Sequence, residues 1–146
     1  MKSCFFIGHR NASGELLPDL KQVVEKHISE YGVTEFIVGR YGDFDHLAAR
    51  AVIALKAQYP QIILSLLIPY HPAERPIETP QGFDNTYHPP GMEKVPRRLA
   101  IVRANRYVVD HVDYLIAYAW HAASNARNLV EYAQRRNIKI TNLGQF

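Results

Sequence analysis

The sequence predicts an α/β domain: one Rossmann-like three-layer unit with a mostly parallel five-stranded sheet and helices on both faces. Three observations carry this. Strand-like and helix-like segments alternate five times along the 146 residues. The strand-like runs are short and apolar throughout, as in strands buried on both faces. The loops that leave their carboxyl ends are polar. Such alternation implies parallel strands joined by right-handed crossovers, and the length suits one domain spanning 1–146.

The first strand runs from Ser3 to Ile7. Gly8 ends it, and His9, Arg10 and Asn11 follow at once. Leu16, Leu17, Leu20, Val23, Val24, His27, Ile28 and Tyr31 then recur at three- and four-residue steps, one apolar stripe of a helix. Gly32 is placed to end it. "TEFIV" from Thr34 is a second strand and "GRYGDFD" from Gly39 a turn. Leu47, Ala48, Ala51, Val52 and Leu55 mark the next helix, which Pro60 closes. "IILSLLI" from Ile62 is a third strand. A Pro-rich stretch without periodicity covers 69–96, a length that points to a functional lid or a disordered loop. A helix from Arg97 to His111 follows, then the strand "DYLIAYA" from Asp113 and the polar loop Trp120 to Asn125. A helix from Arg127 to Arg136, a left-handed cap at Asn137 and the strand "IKITNL" complete the chain.

Composition narrows the function. The net charge of +3 is small and no run of five or six like charges occurs, so a nucleic-acid tail is not indicated and a nucleic-acid partner is not expected. One cysteine, Cys4, excludes an internal disulfide framework and fits a reducing compartment. No signal-peptide pattern and no membrane-length apolar run occur. A cytoplasmic protein is the expectation. None of the seven histidines forms an i, i+4 pair or a cysteine-bearing cluster, so no metal is expected. No cofactor is indicated either. The glycines form neither G-x-G-x-x-G nor a P-loop, and no nucleophile elbow is present.

In parallel sheets of this kind ligands sit beyond the carboxyl ends of the strands, where the strand order reverses. Three loops reach that edge. The first brings Gly8, His9 and Arg10, whose guanidinium suits phosphate or carboxylate. The second brings Gly39, Gly42 and Asp45. Its glycines allow a tight turn, and its acid either caps the next helix or holds a ribose hydroxyl or a catalytic proton. The third brings Ser124 and Asn125, either of which can cap a helix whose first turn holds Asn128 and whose amino end collects donors for an anion. Glu131, one turn on, either faces the crevice or bridges to Arg127 or Arg135. Arg103 and Arg106 share a helix face. Arg106 is expected to pair with Asp110, and Arg103 is the alternative phosphate clamp.

Taken together the motifs resemble the YpsA-type family of the SLOG superfamily, which includes the lonely-guy phosphoribohydrolases and the DNA-processing protein DprA. The resemblance rests on "GHR" after the first strand, "GRYGDFDHLAA", "IP" after the third strand, "RANRYVVDHVDYLIA" from Arg103 and "NLVEYA" from Asn128. It implies a sheet of order 3-2-1-4-5 that binds a nucleotide or nucleotide-derived ligand, as a sensor or binding module, and a homodimer. In the hydrolase branch an arginine and a glutamate cleave the N-glycosidic bond of a nucleoside monophosphate. The nearest positions here are Arg103 and Glu131, which would be catalytic if the protein is an enzyme of that kind. DNA binding after the manner of DprA ranks third.

Overall fold

In the computed structural model residues 2–70 and 78–144 are described. The chain runs β1 (Lys2–Gly8), a 3-10 turn at Gly14–Leu16, α1 (Leu17–Ser29), β2 (Val33–Val38), α2 (Asp43–Lys56) and β3 (Ile63–Leu67). It continues with β4 (Asn85–Tyr87), 3-10 turns at Met92–Lys94 and Arg97–Leu99, α3 (Ala100–His111), β5 (Tyr114–Tyr118), α4 (Asn125–Arg135) and β6 (Lys139–Asn142). All six strands are parallel, in the order β4-β3-β2-β1-β5-β6.

The five expected strands keep their expected order, and β4 is an addition at the edge beside β3. It lies inside the stretch 69–96 that the sequence presents as one Pro-rich loop, part of which, 71–77, falls outside the described residues. Three residues, Asn-Thr-Tyr, are too few and too polar to show a strand period. What holds them is the residue before. Asp84 Oδ2 accepts from the Leu64 N–H at 2.8 Å and from Lys56 Nζ at 2.5 Å, so β4 is tied to both the sheet and α2.

The sheet divides the core into two faces because successive strand side chains point to opposite sides. Cys4, Phe6, Phe36 and Leu64 face α1 and α2. Phe5, Ile37 and Leu115 face α3 and α4. All seven are almost wholly excluded from solvent, each full-sized side chain contributing about 1.5–3 kcal/mol. Cys4 is sealed and its thiol is pushed far above the usual range by burial. The stops fall where the residues allow them: Gly32 (φ 73°) follows α1 and Asn137 (φ 61°) follows α4, both left-handed. No helix among the described residues is long and apolar enough to cross a membrane.

Candidate functional site

Chain order reverses at β1: it connects to β2 on one side and pairs with β5 on the other. A cleft of about 410 Å³ opens there, at the carboxyl ends of the strands. Gly8, His9, Arg10, Gly39, Gly42, Asp45, Ser124, Asn125 and Asn128 all line it. Three loops far apart in sequence therefore converge as their polarity suggests. Arg103 and Glu131 are not among its lining residues.

The wall made by the first two loops is closely packed. The Asp43 N–H donates to the Arg10 carbonyl at 2.8 Å, and the Ala12 N–H to Asp43 Oδ2 at 3.3 Å. A Cβ on Gly42 would lie 2.7 Å from Arg10 Cα, and one on Gly8 would lie 2.8 Å from Phe44 Cβ and closer still to its ring. These glycines let β1, its loop and α2 approach one another, so packing alone accounts for them. Gly42 occupies the cap position of α2 without a side-chain cap bond. Asp45, three residues on, turns back so that Oδ2 accepts from the Tyr41 N–H at 3.0 Å. Burial pushes its carboxyl up to about 6, against the opposing pull of that hydrogen bond and of His46. Arg10 is exposed and forms no ion pair with any described residue.

The opposite wall is the β5–α4 loop, and His9 holds it. His9 Nε2 accepts from the backbone N–H of Trp120 at 2.9 Å and of His121 at 3.1 Å. Two donors on one nitrogen require the neutral ring with its proton on Nδ1. Burial, and then the charge of His121, lower the His9 pKa and favour that form. His9 thus stands at the cleft as a clasp between two loops, a role its place beside Arg10 does not reveal. Ser124 caps α4, accepting from the Arg127 N–H at 3.0 Å while its hydroxyl donates to the His121 carbonyl at 2.8 Å. Ser124 thus serves as the cap of α4 and ties it to the preceding loop. The amino end of α4, with Asn125 and Asn128 in its first turn, faces the cleft and offers an anion the positive end of the helix.

The third side comes from α3, through Ile101, Val102, Asn105 and Arg106. These four recur at helical spacing. Arg103, advanced by about 100° from Val102, turns away from that stripe and is exposed. Arg106, not Arg103, is therefore the cleft arginine of this helix. The expected pair of Arg106 with Asp110 does not form. Asp110 instead accepts from Arg136 Nε at 2.8 Å and from the Tyr132 hydroxyl, and the Arg106 guanidinium lies 5.2 Å from the centre of the Tyr132 ring. The stripe 101, 102, 105, 106 was the available signal for Asn105 and Arg106. Glu131 is half-exposed and bridges to Arg127 Nε at 3.5 Å, the plainer of its two sequence readings. No group of three or more His, Cys, Asp or Glu residues among the described residues is arranged to hold a metal ion.

The arrangement defines a class of fold: a parallel, Rossmann-like α/β sheet with a polar cleft at its switch point. Among solved structures that class includes DNA processing protein A. The protein from Streptococcus pneumoniae superimposes with a TM-score of 0.68 at 15% identity, over 97% of this chain and 50% of that one. The Helicobacter pylori protein, described for its single-stranded DNA binding mode, gives 0.66 at 14% identity, over 99% of this chain and 66% of that one. This chain thus spans half the length of the pneumococcal protein. No protein-family model and no curated protein sequence matches the chain.

Proposed function

We propose that the cleft binds a nucleotide or nucleotide-derived anion, as a sensor or binding module. The observation that carries the reading is Arg10: an exposed guanidinium without an ionic partner among the described residues, on the rim of a cleft of about 410 Å³ that α4 also enters with its amino end. A fork of donors beside a helix amino terminus suits a phosphate group. The YpsA-type resemblance of the motifs supports the same class of ligand. Hydrolysis of an N-glycosidic bond has less support, since Glu131 is half-exposed and engaged with Arg127 outside the cleft.

The test is a thermal-shift screen of AMP, ADP, ADP-ribose, NAD, cyclic nucleotides and ribose 5-phosphate. A ligand at about a hundred times its dissociation constant adds about 2.7 kcal/mol, a rise of roughly 5 °C or more for a domain of this size. The shift is expected in the native chain and not in Arg10→Ala. No shift from any of them removes the reading.

Single-stranded DNA is the second reading, favoured by the fold shared with DNA processing protein A and by Trp120, which is 49% exposed beside the cleft loop and available for base stacking. The small net charge weighs against it. Oligonucleotide affinity that falls steeply with salt, through counterion release, marks this reading.

A further inference from the structure

Asp45 presents a carboxylate to the cleft with its hydrogen bonding half used. Oδ2 is committed to the Tyr41 N–H, and the absent side chain of Gly39 gives that oxygen its space. Oδ1 makes no hydrogen bond to any described residue and is not sealed from solvent, and Asp45 is one of the residues that line the cleft. No cation among the described residues lies within ion-pair distance, although Arg10 and Arg106 line the same cleft. Holding the start of α2 requires only Oδ2.

An anionic ligand cannot set its phosphate against this oxygen. With the phosphate at Arg10 and the amino end of α4, the group that meets Asp45 must be a hydrogen-bond donor. The Asp43 N–H donates to the Arg10 carbonyl at 2.8 Å and Asp45 accepts from the Tyr41 N–H just beside it, so that donor lies on the wall of the cleft that carries Arg10. In a nucleotide the sugar hydroxyls are close to the phosphate, and the amino groups of the base are remote from it.

We infer that Asp45 accepts a sugar hydroxyl of the ligand and makes the cleft selective for ribonucleotides over their deoxy counterparts. The inference rests on the nucleotide reading above. An ionised carboxylate accepts a stronger hydrogen bond than its protonated form, so the selectivity rises with pH as Asp45 loses its proton, near pH 6. The ratio of the two affinities is the quantity to follow, because repulsion between Asp45 and the phosphate is common to both ligands.

The experiment measures by calorimetry the binding of AMP, GMP, CMP and UMP, each beside its 2′-deoxy and 3′-deoxy form, to the native chain and to Asp45→Asn. The expected result is a preference of about tenfold for a ribonucleotide over one deoxy form at about pH 8, shrinking towards about pH 5. In Asp45→Asn the ratio is smaller and flat with pH. Equal affinity for the ribo and deoxy forms at the higher pH overturns the assignment and leaves the nucleotide reading standing. A preference that ignores pH in the native chain assigns the hydroxyl to another residue and also overturns it. Binding of none of the twelve overturns the assignment, while the nucleotide reading is decided by the wider screen of ADP, ADP-ribose, NAD and cyclic nucleotides. If Asp45→Asn fails to fold, the native ratio across pH still decides.

Discussion

The two ends of the sheet hold similar residues and put them to different uses. At the amino end, the rings of Tyr31 and Tyr114 stack at 5.1 Å, and His27 stands edge-on to both. Lys139 Nζ lies 4.0 Å from the centre of the Tyr31 ring, and Lys2 and Lys26 also lie over these rings. His27 is 1% exposed, and its Nδ1 bonds the Val23 carbonyl. At the carboxyl end Tyr118 and Trp120 gather again around a histidine, His9, but His9 and Arg10 line a cleft, and Arg10 has no ring or acid as partner among the described residues. Residue type therefore does not separate site from scaffold. The separation comes from whether the polar groups are closed by packing or left facing a hollow.

The largest test of this contrast is the packed wall of the cleft. Gly42→Ala sets a Cβ against the Arg10 backbone, which cannot swing aside as a side chain can. A loss of about 3 kcal/mol is expected, at the upper end for overpacking, read by chemical denaturation. Gly14→Ala, where nothing lies within 4 Å, is the control and is expected to leave stability nearly unchanged.

Asp45→Asn comes next and has the opposite sign. The native carboxyl is raised from 3.8 to about 6, so folding favours its protonated form. That stability is fully present below pH 3.8 and is lost as pH rises through about 6. The amide does not ionise. At about pH 8 the variant is expected to be more stable by up to about 3 kcal/mol, and the gain vanishes towards about pH 4. Equal gains at both pH values would show that the carboxylate is not held at a cost, and the contrast between the two ends would weaken.

His9 gives a smaller, local effect. Its pKa lies below 6.5, so the clasp is intact above that value and is lost as pH falls through the lowered one. The ring of Trp120, the only tryptophan, lies 5.1 Å from that of His9. Its fluorescence is expected to change along an acid titration with a midpoint below 6.5, and the step should be absent in His9→Gln. The smallest effect belongs to Glu131→Ala. The Arg127 pair is half-exposed, so a change of at most about 0.5 kcal/mol is expected, with nucleotide affinity unaltered.

The five longer strands were legible because their apolar runs and the intervening helical stripes have clear periods, whereas their order in the sheet came from the resemblance of the motifs. β4 was not, since three polar residues held by the tether at Asp84 carry no period. The three site loops were legible because parallel topology fixes which strand ends meet. Less visible were the reasons for individual residues. Gly8 and Gly42 read as turn or phosphate glycines until Phe44 and Arg10 are seen against them. His9 reads as a turn residue until the two amides that share its nitrogen are placed. Spacing pairs Arg106 with Asp110, but Tyr132 of α4 and Arg136 just past its end take that acid. Competition across elements is what one-dimensional spacing omits.

Cys4 lies in β1, with a neighbouring strand on either side and no solvent exposure. As the only sulfhydryl in the chain it gives the native protein a silent background towards alkylating reagents. A cysteine introduced at Asn125, on the cleft rim, would react alone and could carry a single dye. Labelling of Cys4 itself would be a clock, advancing only when the middle of the sheet comes apart.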